Sequence, residues 1–356
     1  KLNQYLIYLE NNFFQAHELR VGRTVVPSPF IHERFKAYHR IPLLKRITPV
    51  VKDIQQFVRS HTDRKLTGEE SAQIWEAVPR MIKVNNIFEV YKEFYSWLGR
   101  PELLQPAPGN VLEYSDVFPL IYCKLRLEGG QTFDHVKHLL IDEMQDYTPV
   151  QYRVLSRIFK CNKTILGDIT QTVNPYSGSS SEAIHQVFSQ AEVVKLSRSY
   201  RSTWEITRFT QRILPNPDLI AMERHGLAPE VRKVDNDTDE LEEIKRLMAV
   251  FRTSGYHSMA VIAKTHKQSK SLFNELRSAG AHLITADSTS LKGGVVITTA
   301  HLAKGLEFDE VVIPSASARN YHTEIDRRML YIACTRAMHR LTLIYSVQLT
   351  PLLEES

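Results

Sequence analysis

Two adjacent acids after a short apolar run are the first residues in the chain whose placement points to chemistry. Residues 139–146 read LLIDEMQD, which puts Asp142 and Glu143 directly after the run. A phosphate-handling fold uses this arrangement to present one carboxylate to Mg²⁺ and the next to an attacking water. Surface acids also end many strands, so a solvated structural role stays open for the pair taken alone.

A second polar strand end follows at residues 165–171, which read ILGDITQ. The apolar run ends in Gly167 and Asp168, and the amide of Gln171 comes three residues later. In α/β sheets, ligands bind at the carboxyl ends of the strands. Two strand ends with polar tips therefore predict a single site.

Three more segments complete the set of candidate residues. Residues 196–203 read LSRSYRST, residues 299–308 read TAHLAKGLEF, and residues 327–337 read RRMLYIACTRA. Together with the two strand ends, these segments resemble the second to sixth motifs of the UvrD/Rep-like superfamily 1 helicases, in the same order and at suitable spacing. The resemblance extends over residues 139–337.

The resemblance implies that ATP, with Mg²⁺, binds between two RecA-like domains. The first domain would supply Asp142 to hold Mg²⁺ and bind the nucleotide, Glu143 to activate water, and Gln171 to sense the γ-phosphate. Because the second domain would supply the remaining groups, hydrolysis would proceed only when the cleft between the domains closes, and ATP turnover would then drive domain motion.

The residues implied for the second domain are mostly charged. Arg201 and Arg336 would reach the transferring phosphoryl group, since a guanidinium stays charged and offers a planar fork to phosphate oxygens. Glu307 would hold the ribose and Tyr200 would pack on the adenine. Gly305 and the lysine before it would form the tight turn that lets Glu307 reach its ligand. A role as surface charges is the alternative for both arginines, and the presence of five motifs in order disfavours it.

Candidate nucleic-acid contacts are fewer than the family's helicases carry. Residues 171–178 read QTVNPYSG, where the family has two aromatic residues and an arginine that stack single-stranded bases. Tyr176 alone is left there as a platform, and base stacking contributes roughly 1–3 kcal/mol per base. In the family, His301 belongs to the fifth motif on the nucleic-acid side, but a histidine satisfied within the core is an equally good interpretation.

The Gly-rich loop GxxxxGK[ST], whose backbone N–H groups cradle phosphates in this class, does not occur in the 356 residues. We therefore expect the chain to be the C-terminal motor portion of a longer protein and to work with an upstream part of it. For the chain on its own we expect negligible ATPase activity.

Within the family, the strings DEMQDYTP, LAKGLEFD and CTRAMH look closest to the HelD branch. Members of that branch use the same ATPase core to bind bacterial RNA polymerase and clear it from nucleic acid. We accordingly expect core RNA polymerase as the partner. The alternative is an ATP-dependent DNA helicase or translocase in DNA repair or recombination, with single-stranded DNA as its partner.

The secondary structure predicted to hold these residues changes from helices to alternating strands and helices along the chain. Up to about residue 105 the apolar residues recur at helical spacing, as in residues 87–94, and Thr67 is a candidate helix cap. A break rich in proline and glycine at residues 105–110 ends this pattern. Short apolar runs then alternate with helical stretches, at residues 139–141, 164–166, 193–196, 260–262, 295–298, 311–313 and 341–344. Such runs indicate parallel strands buried on both faces.

The sequence therefore predicts an α/β fold in which RecA-like P-loop NTPase domains with parallel sheets follow an all-helical segment. We expect a helical accessory or insertion segment over residues 1–105. The C-terminal part of a first RecA-like domain would cover residues 106–196, and a second RecA-like domain residues 197–356.

Composition and charge narrow the class of protein further. With 43% hydrophobic and 24% charged residues, the chain is neither disordered nor fibrous, and no apolar run approaches the ~20 residues of a membrane span. Three widely spaced cysteines cannot form a disulfide scaffold, so we expect a cytoplasmic protein without a membrane partner. Residues 1–65 carry a net charge of +7 and the remainder −2. That basic segment is either a solvated helical face or a surface for an acidic partner.

Overall fold

The computed structural model describes residues 1–62, 64–83, 86–105, 111–172, 181–288 and 293–353. The chain forms two compact units. The first, here called the helical unit, comprises Lys1–Asp142, Tyr147–Leu166 and Ser181–Ser189. The second, the sheet unit, comprises Glu143–Asp146, Gly167–Ser180 and Gln190–Ser356. The division at residues 105 and 196 stays a prediction, and residues 106–110 of the predicted break lie outside the described residues.

The helical unit is built from amphipathic helices around one core. Its elements are α1 (Leu2–Asn12), β1 (Leu19–Val21), β2 (Thr24–Val26), α2 (Ser28–Ala37), α3 (Ile47–Ser60), α4 (Gly68–Arg80), α5 (Ile87–Trp97), α6 (Tyr114–Leu127), β3 (His138–Ile141), α7 (Pro149–Ile158), β4 (Asn162–Ile165) and α8 (Ser181–His185). In α3, Val50, Val51, Ile54 and Val58 recur at the three- and four-residue spacing of one helix face, and all four are buried. Among the described residues, no helix is both long enough and apolar enough to cross a membrane.

A hairpin interrupts the segment expected to be entirely helical. Strands β1 and β2 pair antiparallel, with Val21 opposite Thr24 and a two-residue turn between them. Gly22 opens that turn at φ +57°, in the left-handed region that glycine adopts at low cost. Three-residue strands are too short to show an alternating pattern, so the turn chemistry of Gly22 was the only signal available.

The predicted cap at Thr67 is confirmed. The Thr67 hydroxyl accepts from the backbone N–H of Glu70 at 3.2 Å, and the Glu70 carboxylate accepts from the backbone N–H of Thr67 at 2.9 Å. Hydrogen bonds from Arg64 and then from the Thr67 backbone lower the pKa of Glu70 to about 2. Its carboxylate therefore supports the start of α4 at pH values above about 4.5 and loses that role as the pH falls towards 2.

Two of the predicted runs form a parallel pair in the helical unit. Strand β3 pairs with β4 from His138 opposite Asn162 to Ile141 opposite Ile165. The register continues one step further, because the backbone N–H of Leu166 donates to the carbonyl of Ile141 at 2.7 Å. The two strands therefore end side by side, as the placement of polar residues at both ends had predicted.

The sheet unit contains a six-stranded sheet in which every pairing is parallel, in the order β7-β12-β11-β8-β10-β9. The elements of this unit are β5 (Arg198–Ser199), α9 (Trp204–Ile213), β6 (Ile220–Ala221), β7 (Glu230–Val234), α10 (Asp237–Arg252), β8 (Ser258–Ala263), α11 (His266–Leu276), β9 (Ala281–Leu283), β10 (Gly294–Thr299), β11 (Phe308–Ile313), α12 (Glu324–Cys334) and β12 (Ala337–Ser346). The α/β class with a parallel sheet is thus confirmed.

Both faces of this sheet are buried, which explains why its strands have continuous apolar sequences. Along β8, Ala260 and Ile262 join the cluster formed with α9 and α12. Met259 and Val261 point to the opposite face and join the cluster formed with α10 and α11. Successive side chains of a strand point to opposite faces, so a strand covered on both faces has no polar side to show.

The strand predicted at residues 193–196 is wrong. Residues 190–197 have no regular secondary structure, and Leu196 is 87% exposed. The nearest pairing involves the two residues of β5, which pair with β6. An apolar run becomes a strand only where a neighbouring chain takes up its backbone N–H and C=O groups, and sequence pattern alone does not supply that neighbour.

Replacing the Thr67 cap tests the start of α4. We expect Thr67→Ala to lower the free energy of unfolding by about 1 kcal/mol, because the backbone N–H of Glu70 loses its acceptor. Thr67→Ser keeps the hydroxyl and is expected to stay within about 0.5 kcal/mol of the wild type. Urea unfolding followed by circular dichroism measures both variants, and an alanine variant as stable as the serine variant would contradict the capping role.

Candidate active site

The Arg336 guanidinium is the most buried charge in the sheet unit's cluster of candidate residues. Arg336 lies between α12 and β12, is 1% exposed, and is held by acceptors on several sides. Its Nε donates to the carbonyl of Ile332 at 3.2 Å and its Nη1 to the carbonyl of Leu306 at 3.4 Å. Its Nη2 donates to Oε1 of Gln171 at 2.6 Å. These bonds fix the plane of the guanidinium.

Gln171 links Arg336 to an acid in the segment that follows β4. While its Oε1 accepts from Arg336, its Nε2 donates to Oδ2 of Asp168 at 2.9 Å. The other carboxylate oxygen of Asp168 accepts from the hydroxyl of Thr170 at 2.6 Å and from its backbone N–H at 2.9 Å. Asp168, Gln171 and Arg336 therefore form a continuous hydrogen-bonded chain.

A second arginine and three acids surround Arg336. Burial and the nearby Arg201 lower the pKa of the Arg336 guanidinium to about 10, while Glu143, Glu307 and Asp168 act in the opposite direction. Arg336 remains positively charged at neutral pH, since its pKa lies about 3 units higher. Arg201 is itself paired, with Nε 2.5 Å from Oε1 of Glu307. The cluster thus holds two guanidinium groups close together: Arg201 is paired with a carboxylate, whereas the hydrogen bonds of Arg336 go to carbonyl, amide and hydroxyl oxygens.

Glu143 occupies a strained backbone position next to this cluster. Its φ of 53° lies in the left-handed region, which non-glycine residues adopt at a cost of about 1–3 kcal/mol. Its side chain is held by two groups: Nε2 of Gln145 donates to Oε2 at 2.7 Å, and the ammonium of Lys304 lies 3.4 Å from the same oxygen. The Lys304 ammonium also bonds both oxygens of Asp146 at 2.8 Å.

Lys304 is a contact that sequence reasoning missed. The sequence placed it only in the tight turn with Gly305, and that turn is present, with Gly305 at φ +79°. The side chain of Lys304 is 6% exposed and bridges Glu143 and Asp146. The one sequence signal for this contact was the group of acids in the string DEMQD, which favours a cation nearby.

Gly167 allows two loops of the sheet unit to approach closely. A Cβ atom at this position would lie 2.5 Å from Oε1 of Gln145 and 2.6 Å from the backbone nitrogen of Met144. The same Gln145 oxygen accepts from the backbone N–H of Asp168 at 3.1 Å. Gly167 therefore sets the spacing between residues 143–146 and residues 167–171.

The remaining predicted residues are exposed or lie outside the described residues. Asp142 follows β3 in the helical unit with an exposed side chain. Tyr200 is 65% exposed, and its carbonyl accepts from Arg224 at 3.4 Å. His301 is exposed, so the interpretation of a histidine satisfied within the core is wrong. Tyr176 lies outside the described residues.

The donor set suits a polyphosphate. Within the sheet unit, two guanidinium groups and an amide are the groups that proteins direct at phosphate oxygens. Asp142, in the helical unit, by itself offers a hard oxygen ligand for Mg²⁺. In the part of the chain that the structure describes, no group of three histidine, cysteine or acidic side chains is placed to hold a metal. Mg²⁺ commonly binds through one or two carboxylates and the substrate's own phosphates, so a single exposed carboxylate fits that mode.

Two segments of the chain match sequence profiles of UvrD-type helicase domains. The sequence profile described as the UvrD/REP helicase N-terminal domain matches residues 11–192, and the profile of the UvrD-like helicase C-terminal domain matches residues 294–344. The first match alone covers half of the chain.

Individual relatives carry helicase names. The chain is 26% identical to DNA helicase IV of Escherichia coli K12 over 62% of its length, which is 35% of the relative. It is 23% identical to the ATP-dependent DNA helicase srs2 of Schizosaccharomyces pombe over 58% of its length, which is 24% of that protein. The chain thus spans about a quarter to a third of these two curated relatives.

A solved structure also matches. The C-terminal domain of a possible DNA helicase from Lactobacillus plantarum WCFS1 is 35% identical, with a TM-score of 0.38. The match covers 44% of this chain and 92% of that one.

A glycine pair tests the close approach at position 167. We expect Gly167→Ala to destabilise the sheet unit by about 1–3 kcal/mol, because the new methyl group overlaps Gln145 and Met144. Gly255→Ala is the matched control, since a Cβ there meets nothing within 4 Å, and its effect is expected within about 0.5 kcal/mol. Thermal unfolding of the wild type and the two variants measures these stabilities. Equal stabilities would show that position 167 has room for a methyl group.

Proposed function

The chain belongs to the UvrD/REP helicase family, and from this premise we propose that it forms the motor portion of an ATP-dependent machine. In this proposal the sheet unit contributes the charged groups that act on the γ-phosphate of ATP. The relative srs2 is named an ATP-dependent DNA helicase, which supports ATP as the nucleotide.

The observation that carries the proposal is the buried Arg336 guanidinium. Its Nη2 lies 2.6 Å from Gln171, and Arg201 stands close enough to depress its pKa. Burying a cation beside a like charge is costly, and structural packing alone gives no reason for it. A negatively charged substrate would compensate both guanidinium groups, as arginine fingers do for the charge that develops during phosphoryl transfer.

The hydrogen-bonded chain from Asp168 through Gln171 to Arg336 gives the site a sensing route. The Gln171 amide has its oxygen committed to Arg336 and its nitrogen to Asp168. A phosphate that competes for either partner would therefore change the position of the other. We propose that Gln171 reports the state of the γ-phosphate in this way.

Glu143 and Asp142 would divide the work of the acids. The Glu143 carboxylate is oriented by Gln145 and Lys304, so it is held in a defined position to accept a proton from an attacking water. Asp142 would bind Mg²⁺, whose positive charge neutralises phosphate charge when it is bound. In this proposal Glu307, which pairs with Arg201, would hold the ribose, and the exposed ring of Tyr200 would pack on the adenine.

For the target of the motor, we propose core RNA polymerase with its bound nucleic acid, as in the HelD branch. This part of the proposal is supported by the strings DEMQDYTP, LAKGLEFD and CTRAMH and by the thin stacking segment at residues 171–178. A motor with few stacking aromatics has a weak grip on single strands, which favours a protein target.

The second candidate is an ATP-dependent DNA helicase or translocase acting in repair or recombination. The names of the relatives favour it, since DNA helicase IV and srs2 are both called DNA helicases. The exposed His301, in the fifth-motif segment, and Tyr176 would then contact single-stranded DNA.

Arginine variants test the catalytic assignment. In a protein that joins this chain to a GxxxxGK[ST] loop, we expect Arg336→Ala to slow ATP turnover about 10³-fold or more while ATP affinity changes far less. Arg336→Lys keeps the charge but loses the fork, so it should fold normally and still be slow. The exposed Arg319→Ala is the control and should leave turnover unchanged. Equal losses of turnover and affinity would make Arg336 a binding residue only.

Salt dependence separates the two targets. For a polymerase remodeller we expect affinity of the chain for core RNA polymerase to survive a rise from about 50 to 200 mM salt, with oligonucleotide binding barely detectable. A strand-binding motor that neutralises 6–10 phosphates would instead lose about 10³–10⁵ in affinity over that range. Fluorescence anisotropy with labelled single-stranded DNA and with labelled polymerase measures both. Tight, salt-sensitive DNA binding without polymerase binding would establish the second candidate.

A further inference from the structure

The helical unit contains a cavity that the proposed motor function does not use. Its volume is about 320 Å³, and it lies among α1, the segment between α2 and α3, α6 and α7. Leucine, isoleucine and proline side chains form part of the wall. The polar part consists of Glu10, His39, Arg40, Arg46, Arg126 and Arg157.

The wall of this cavity is strongly positive. Four arginines face one carboxylate, which gives a formal charge of +3 with His39 neutral. Glu10 is shared, because its Oε1 accepts from Arg46 at 2.5 Å and its Oε2 from Arg126 at 3.3 Å. One carboxylate cannot neutralise two guanidinium groups, so an excess positive charge remains even at the paired end.

The other two arginines add to that excess. Among the residues that the structure describes, neither Arg40 nor Arg157 has a carboxylate within ion-pair distance. The Arg157 guanidinium lies 5.6 Å from the ring centre of Tyr122, a contact that leaves its charge uncompensated. Arg40 is exposed and follows α2 directly after a short turn. Both therefore have N–H groups to offer a ligand.

The paired arginines are held rigidly. Arg46 is only 4% exposed, and besides Glu10 it donates to the carbonyls of Ile41 at 2.8 Å and His39 at 2.9 Å. Arg126 donates to Oδ1 of Asn3 at 3.1 Å. A ligand would meet guanidinium groups that are already in place, which reduces the entropic cost of binding.

A second cavity extends the positive wall. It has a volume of about 140 Å³, shares Glu10, His39 and Arg46 with the first, and adds Lys36 and His32. The excess charge of residues 1–65 is thus concentrated in part at one concave place instead of being spread over a solvated face.

We propose that this pair of cavities binds a compact polyphosphate group, of the size of pyrophosphate or the phosphates of a nucleotide. Guanidinium groups match phosphate oxygens in charge and in geometry. The volume lies at the lower end of the range for small-molecule sites, which suits a terminal phosphate group better than a continuous strand. The site uses none of the residues assigned to ATP turnover, so the two proposals stand or fall separately.

The test titrates the full chain with inorganic pyrophosphate by isothermal titration calorimetry. We expect Arg40→Gln combined with Arg157→Gln to weaken binding about tenfold or more, since two charge-assisted contacts are lost. Arg59→Gln removes the same charge from the exposed end of α3, outside both cavities, and should change affinity less than about twofold. Arg336→Ala separates this site from the motor site and should also leave this binding in place.

The outcomes are distinct. Absence of pyrophosphate binding, or an equal loss in the Arg59→Gln control, overturns the proposal. Loss only in Arg336→Ala assigns the bound phosphate to the motor site and overturns it too. If the double variant does not fold, the exposed Arg40→Gln alone is measured, and wild-type affinity in that variant counts against the site. Competition by a short single-stranded oligonucleotide that lacks terminal phosphates would identify the phosphate source as a nucleic-acid strand; without competition, the source is a small compound.

Discussion

The burial of one guanidinium group constrains most of the candidate site. A charge removed from water must find hydrogen-bond acceptors or it destabilises the fold. Arg336 takes them from the end of α12, from the turn before β11 and from Gln171. Three separate pieces of chain must therefore be in place at once. The pairing of Arg201 with Glu307 follows from the same constraint, because a second cation nearby needs its own carboxylate.

The strain at Glu143 is held by the same neighbourhood. A left-handed φ on a glutamate persists only where the surrounding contacts outweigh its cost. Contacts of its carboxylate come from Gln145 and Lys304, and Gln145 in turn packs against Gly167. The carboxylate is consequently directed by the fold and not by the rotamer preferences of a free side chain. Such an arrangement is typical of groups whose position matters more than their contribution to stability.

Sequence pattern predicted the sheet well because burial on both faces leaves an unmistakable apolar run. The run at residues 193–196 looks the same in sequence but is not a strand, since no strand among the described residues pairs with it. The cap at Thr67 was predictable because all of its partners lie within three residues. The salt bridge from Lys304 to Asp146 joins residues 158 positions apart, and no local sequence pattern predicts it. The roles of Gln171 and Arg336 came from the family resemblance, whereas their direct contact came from the structure.

The strand order has a consequence for how the chain folds as it is made. Strand β12, at Ala337–Ser346, lies between β7 and β11, and β7 has no other neighbour in the sheet. Until residues 337–346 leave the ribosome, β7 is unpaired and β11 presents an open edge to other chains. Pairings between distant segments form slowly, and exposed edges favour aggregation. The sheet unit therefore cannot complete its strand pairing until residue 346 has been made, and chains that stop before residue 337 should be prime substrates for chaperones.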